Sequence, residues 1–272
     1  GNTALDDGSL SGAYNTAIGN LALTANTSGA ANTAMGADVM ASNTTGGSNS
    51  AYGRNALGTN TTGSNNTAVG YNSLVLGTSG GNNTAVGWSA LQANTTADGN
   101  TAVGYNSLGA NTTGTDNVAV GSGALDANTT ATRNVAVGNS ALGAVTTGSN
   151  NTALGDRSLI VSTGEYNTAV GSDSLYSNTT ASNNTALGRQ ALQANTTASY
   201  NTAVGQISLF TNTTGERNTG LGQGSLYGNT TGSYNVAVGM GALETNTTAS
   251  YNTAVGYQAA YSNTTGTQNV AV

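Results

Sequence analysis

The sequence predicts an all-β fold, a parallel β-solenoid (β-roll) of about sixteen stacked coils of about 17 residues each. Three observations predict it. The motif N-T-A-V-G returns with its glycine at Gly19, Gly36, Gly53, Gly70, Gly87, Gly104, Gly121, Gly138 and Gly155, and again from Gly171 to Gly256. Successive glycines lie 17 residues apart at every step but Gly155 to Gly171, which is 16. The composition, with 40 glycines and no proline, is also rich in Asn and Thr, which are poor helix formers.

Each coil reads N-[TV]-A-[VLIM]-G-x-x-[SA]-L-x-x-N-T-T-[GA]-x-x. The first five residues alternate as a strand does, which puts Thr or Val and then Val, Leu or Ile on one face. Asn, Ala and Gly take the other. The larger apolar set is expected to face the core. Four residues past the glycine comes a second apolar position, from Leu23 and Met40 to Leu243, with a small Ser or Ala before it at most coils. That pair predicts a second short strand. The N-T-T-G or N-T-T-A that follows is turn chemistry, because Asn tolerates the left-handed region and Gly adopts positive φ without steric cost.

Identical coils bury their apolar faces only by stacking in register, with equivalent residues forming ladders along the axis. At about 4.8 Å per strand the array would be on the order of 75 Å long. Asn66, Asn83, Asn100, Asn117 and Asn134 would make one ladder and Asn94, Asn111 and Asn128 a second, the amides bonding coil to coil. Single coils depart from the pattern. Gly77 and Val145 replace the turn Asn, the short coil lacks it, Tyr52 and Ala260 replace the Val and the Leu, and Gly220 replaces the Ala. The first coil carries Asp6 where the glycine belongs. The chain opens on Asn2-Thr3-Ala4-Leu5 and stops on Asn269-Val270-Ala271-Val272, without the polar caps solenoids use. Residues 1–272 are therefore expected to be one continuous array, uncapped at both ends and excerpted from a longer one.

Five arginines and eleven acids are all the charge there is, for a net −6, with no histidine. There is no basic stripe for nucleic acid, and no apolar run approaches the roughly 20 residues that span a bilayer, so neither nucleic acid nor membrane insertion is expected. Without His, Cys or Lys, chemistry would fall to scattered carboxylates such as Asp126, Asp156 and Glu244. Neither catalysis, a metal nor a cofactor is expected. The N-T-A-V-G strand is uncharged on both faces after Asp6, so a neighbouring copy is expected to cover the face that the coil's own Leu does not.

Asn117-Val118-Ala119-Val120-Gly121, Asn134-Val135-Ala136-Val137-Gly138 and Asn235-Val236-Ala237-Val238-Gly239 resemble the head repeats of trimeric autotransporter adhesins and the β-roll arrays of bacterial surface and phage tail fibres. The resemblance runs along essentially the whole chain but rests on one short motif. It implies a left-handed roll, a homotrimer or an end-to-end homopolymer, and a spacer or binding role outside the cell, on its surface or on a virion fibre. The coil is longer than the usual head repeat, the N-T-T turn is extra, and no neck or coiled-coil stalk is present.

Two residue sets are candidate sites. N-glycosylation sequons begin at Asn26, Asn43, Asn60, Asn94, Asn111, Asn128, Asn178, Asn195, Asn212, Asn229, Asn246 and Asn263. The plainer account is that Asn and Thr serve turn geometry and laddering there. Tyr71, Tyr105 and Tyr257 follow the glycine, Tyr176, Tyr227 and Tyr261 follow the Leu, and Tyr200, Tyr234 and Tyr251 precede the Asn. Such rings can stack on a glycan or anchor a partner on a cell surface, or simply shield ladder edges. Stacked threonines also bring ice to mind as a ligand, but adjacent Thr95 and Thr96 would point to opposite sides of a strand.

Overall fold

The computed structural model describes residues 12–272, so the irregular first coil with Asp6 lies outside the described residues. The chain is a parallel β-solenoid. It forms two compact units, Gly1–Asn134 and Val135–Val272. Among the described residues the first holds strands β1 (Thr16–Ile18) to β7 (Val118–Val120), and the second β8 (Val135–Val137) to β16 (Val270–Ala271). No helix long and apolar enough to cross a membrane occurs among them.

Within each unit every strand pairs in parallel with the next in chain order, residue on equivalent residue, as Thr84 on Thr101 and Ala85 on Ala102. The 16-residue step keeps phase. In β9 (Thr152–Leu154) and β10 (Thr168–Val170), Ala153 still pairs with Ala169.

Only the N-T-A-V-G segment is strand. The second strand expected at [SA]-L is instead a chain of turns, because the residue two after the glycine and the Leu itself both lie in the left-handed region. Leu57, Leu125 and Leu192 have φ of 54°, 51° and 52°. That conformation costs an L-residue roughly 1–2 kcal/mol. Two gains offset it. The Leu side chains are fully buried, which is worth about 1.5–3 kcal/mol each. The reversed backbone also joins the ladder: Leu74 N–H donates to Ala90 O on the next coil, while Leu74 O accepts from Gly77 N–H.

The strand alternation is reversed from the expectation. The middle Ala faces the core, and Ala34, Ala68, Ala102, Ala136 and Ala203 are all buried. The flanking Thr and Val point outward. The inward position of strands β1 to β16 holds Ala throughout except at Gly220, where a Cβ would lie 2.6 Å from Ser208 Oγ and 2.9 Å from Ser225 Oγ. Those two hydroxyls, 2.8 Å apart, fill the space that the missing methyl leaves.

The core is thus Ala, Ser and Leu with two columns of buried asparagine. In the strand column the Asn Oδ1 accepts from the backbone N–H of the next Asn, as Asn66 Oδ1 from Asn83 N–H at 2.9 Å, and in most coils its Nδ2 donates to a turn carbonyl. In the turn column the amides bond to each other, as Asn111 Nδ2 to Asn94 Oδ1 at 3.0 Å and Asn128 Nδ2 to Asn111 Oδ1 at 2.7 Å. Each also donates to its own turn carbonyl three residues on, Asn111 to Gly114 O. Both expected ladders are present. The short coil has not lost its rung, since Ser162 Oγ accepts from Asn178 Nδ2 at 2.9 Å.

Gly77 does break a rung. Asn60 Oδ1, buried, has no hydrogen-bond partner, because the residue stacked on it has no side chain. The three atoms nearest to a Cβ at Gly77 all belong to Leu74, the first at 3.2 Å, and Asn111 holds the same position relative to Leu108. Gly77→Asn restores a donor to an orphaned acceptor and is expected to raise stability by about 1–2 kcal/mol in urea melts.

The strand glycine is needed for its own geometry. Gly104 has φ 135°, and a Cβ there would lie 2.5 Å from Gly121 O on the next coil.

Candidate functional site

Turning Thr and Val outward gives each unit a face made of two parallel columns. One column is Thr or Val with a single Ser50, the other Val, Leu, Ile, Met or Tyr, and no residue in either is charged. Rungs repeat at about 4.8 Å. Ile18 is 56 % exposed and Val255 39 %, while Val69, Val86 and Val103 are half-buried by their own neighbours along the column. An apolar strip this long is unusual for a surface left to water. The strand is uncharged as the sequence says, and in the single chain its Val side rather than its Ala side is the open one.

Tyrosines and charges occupy the turn columns. Tyr71 and Tyr105 are brought together by Trp88, which the sequence reading passed over. Ring centroids are 6.2 Å apart for Tyr71–Trp88 and 5.0 Å for Trp88–Tyr105, nearly parallel. The signal for Trp88 was its phase, one coil after Tyr71 and one before Tyr105. Tyr234 stacks on Tyr251 at 5.0 Å, and the Arg217 guanidinium lies over both Tyr200 and Tyr234, so four residues form one continuous column. Phe210 stacks on Tyr227 at 5.3 Å, and Arg157 lies over Tyr176. Tyr261 O–H donates to Glu244 Oε1 at 3.3 Å, and that carboxylate raises the Tyr261 pKa. Tyr257 is exposed.

The sequon asparagines are the turn ladder itself. Asn26, Asn43, Asn60, Asn94, Asn111, Asn128, Asn178, Asn195, Asn212, Asn229 and Asn246 are buried and Asn263 is half-buried. A sugar would have to be carried by the same buried Nδ2 that makes these bonds, as Asn111 Nδ2 does to Asn94 Oδ1 and Gly114 O. The first turn threonine is also engaged, as Thr61 Oγ1 donating to Thr78 O and Thr213 Oγ1 to Thr230 O.

No group of three or more His, Cys, Asp or Glu is placed to hold a metal among the described residues. Arg54 pairs with Asp38 at 3.9 Å at the surface, where such pairs contribute little, and Arg157 Nη2 pairs at 2.9 Å with Asp173, whose side chain is 14 % exposed. Asp126 is half-buried, and desolvation raises its pKa despite backbone hydrogen bonds that lower it. A raised carboxyl pKa means the folded chain holds the proton more tightly than the unfolded one. That contribution to stability is therefore present at low pH and lost as pH rises from 3.8 through the raised value. Asp126→Asn is expected to stabilise the chain modestly at pH 7 and to flatten this part of its acid stability profile, measured by urea titration at several pH values.

No family model matches the chain, and no curated protein is similar to it.

Proposed function

We propose that this chain is a non-catalytic structural repeat segment of an extracellular fibre or filament, in which further copies cover the outward strand face as a homotrimer or a lengthening homopolymer. One observation carries the reading: two uncharged columns run along the strand face of each unit, open to water in the single chain. A coil whose interior is satisfied by its own ladders does not need that face to be apolar in order to fold. Covering it is the gain that association brings. The unequal bulk of Met35, Tyr52 and Val69 in one column suits packing against side chains better than matching a regular lattice such as ice.

Sedimentation at micromolar concentration, followed by electron microscopy, tests this. Oligomers or filaments are expected. A sharp monomer with full β signal counts decisively against it.

A second reading, a recognition head or fibre tip, is favoured by the Tyr71–Trp88–Tyr105 stack. Trp88 is the chain's one tryptophan, so its fluorescence reports directly on that stack. Under the recognition reading, a glycan titration shifts this emission. Under the structural reading it leaves the emission unchanged.

A further inference from the structure

The second unit contains a groove that the fibre reading leaves unused. Two residues after the strand glycine, most coils carry a side chain in the left-handed conformation, such as Asn55, Asn72, Asn106 and Gln190. At two successive coils this residue is glycine, Gly224 and Gly241, with φ 64° and 65°. Losing two adjacent side chains from one column opens a cavity of about 280 Å³. Ile207 and Gln258, the same position on the coils before and after, close its ends. Gln223 and Met240 flank it on the strand side, Tyr227 and Glu244 on the turn side.

The chemistry of the lining is specific. Glu244 is its one charged residue. The carboxylate is aimed into the gap: Cβ atoms built on Gly241 and Gly224 would lie 2.8 Å and 3.7 Å from Glu244 Oε2. Tyr227 has one ring face covered by Phe210, parallel to within 3°, which turns the other face toward the coil that carries Glu244. Gln223 on the strand side and Gln258 at one end add polar amide side chains. A flat cation is the ligand that uses all of these at once, stacking on the ring and forking its N–H groups to the carboxylate. The volume falls just short of the usual small-molecule pocket, which suits the end of one side chain.

We propose that this groove binds the guanidinium group of an arginine presented by another polypeptide. The chain already shows the preference in its own columns, where Arg157 lies over Tyr176 and Arg217 between Tyr200 and Tyr234. Its net charge of −6 favours the approach of a basic partner.

The test is an NMR titration with the blocked tripeptide Gly-Arg-Gly and its lysine and citrulline counterparts, following the amides of Gly224 and Gly241. The arginine peptide is expected to shift these two amides with a millimolar-range dissociation constant, about −4 kcal/mol at 1 mM. Lysine should bind several-fold more weakly, and citrulline, planar but uncharged, not detectably. Glu244→Gln should weaken arginine binding about tenfold. Gly241→Asn should abolish it by filling the groove, and the fold accepts that change because Asn72 and Asn106 hold the same left-handed position. Unchanged circular dichroism identifies both losses as local. Three results would each overturn the proposal: no shift at about 10 mM peptide, an equal response to citrulline, or a response to a disaccharide in place of arginine.

Discussion

Leu192→Asp is expected to cost about 3–5 kcal/mol, while Gln193→Asp, one residue later, costs about half a kcal/mol or less. Leu192 is fully buried and sits at φ 52°, and Gln193 is half-exposed in the outer turn. The backbone does not account for the contrast, because Asp tolerates the left-handed region better than Leu does. What remains is a carboxylate placed in a core of buried Ala and Leu, Ala191, Ala203 and Leu209 among them, with no arginine among the buried residues. Leu192→Asn separates the two terms. It keeps the left-handed preference, removes the charge, and should fall between the other variants. The same contrast should recur at Leu74 and Val75, since stability in a solenoid is close to a sum over coils and nearest-neighbour contacts. Urea melts of the five variants measure it. An equal cost at Gln193 would mean that the outer turn is covered.

The repeat, its length, its parallel stacking and both asparagine ladders were legible in the sequence, because all follow from phase. Orientation within the coil was not. Strict alternation says that Ala102 and Val103 face opposite ways, but not which way is in. The usual preference for burying the larger apolar residue gives the wrong answer where the coil is too narrow to hold it. The left-handed Leu was hidden for a related reason. Nothing in the letters S-L or A-L signals positive φ, and the bond made by the Leu N–H runs to the next coil rather than along the segment. The ring columns were half legible. Slot membership placed Tyr71, Tyr200 and Tyr234 correctly, but the residues that join them, Trp88 and Arg217, are different amino acids in the same phase. The groove at Gly224 and Gly241 needed both facts, the column and the left-handed position that glycine empties.

The inward Ala also changes what association has to supply. With Val in the core, a coil would depend on a partner chiefly to cover an Ala and Asn face. With Ala in the core, the asparagine amides are already bonded inside, and the Val column is the surface left over. Under the proposed association, folding and assembly use different residues, so they can be separated by mutation.

Val86→Lys together with Val103→Lys is therefore expected to abolish self-association while leaving the single chain folded. Both side chains point outward from adjacent rungs, half-buried only by their own column. In the isolated chain the new ammonium groups reach water along their stems, so the cost to folding should stay within about half a kcal/mol each. In an assembly they would meet an uncharged face, and enclosing a charge without a partner costs about 3–5 kcal/mol per site. Two such sites on every copy shift association by several orders of magnitude. Val86→Thr with Val103→Thr is the control, because threonine already occupies the neighbouring column at Thr84 and Thr101. Sedimentation reads the association and circular dichroism the fold. Loss of both together would show that the chain is ordered only in company. Lysine variants that still assemble would mean that copies meet elsewhere, and the proposed role of the strand face would fall.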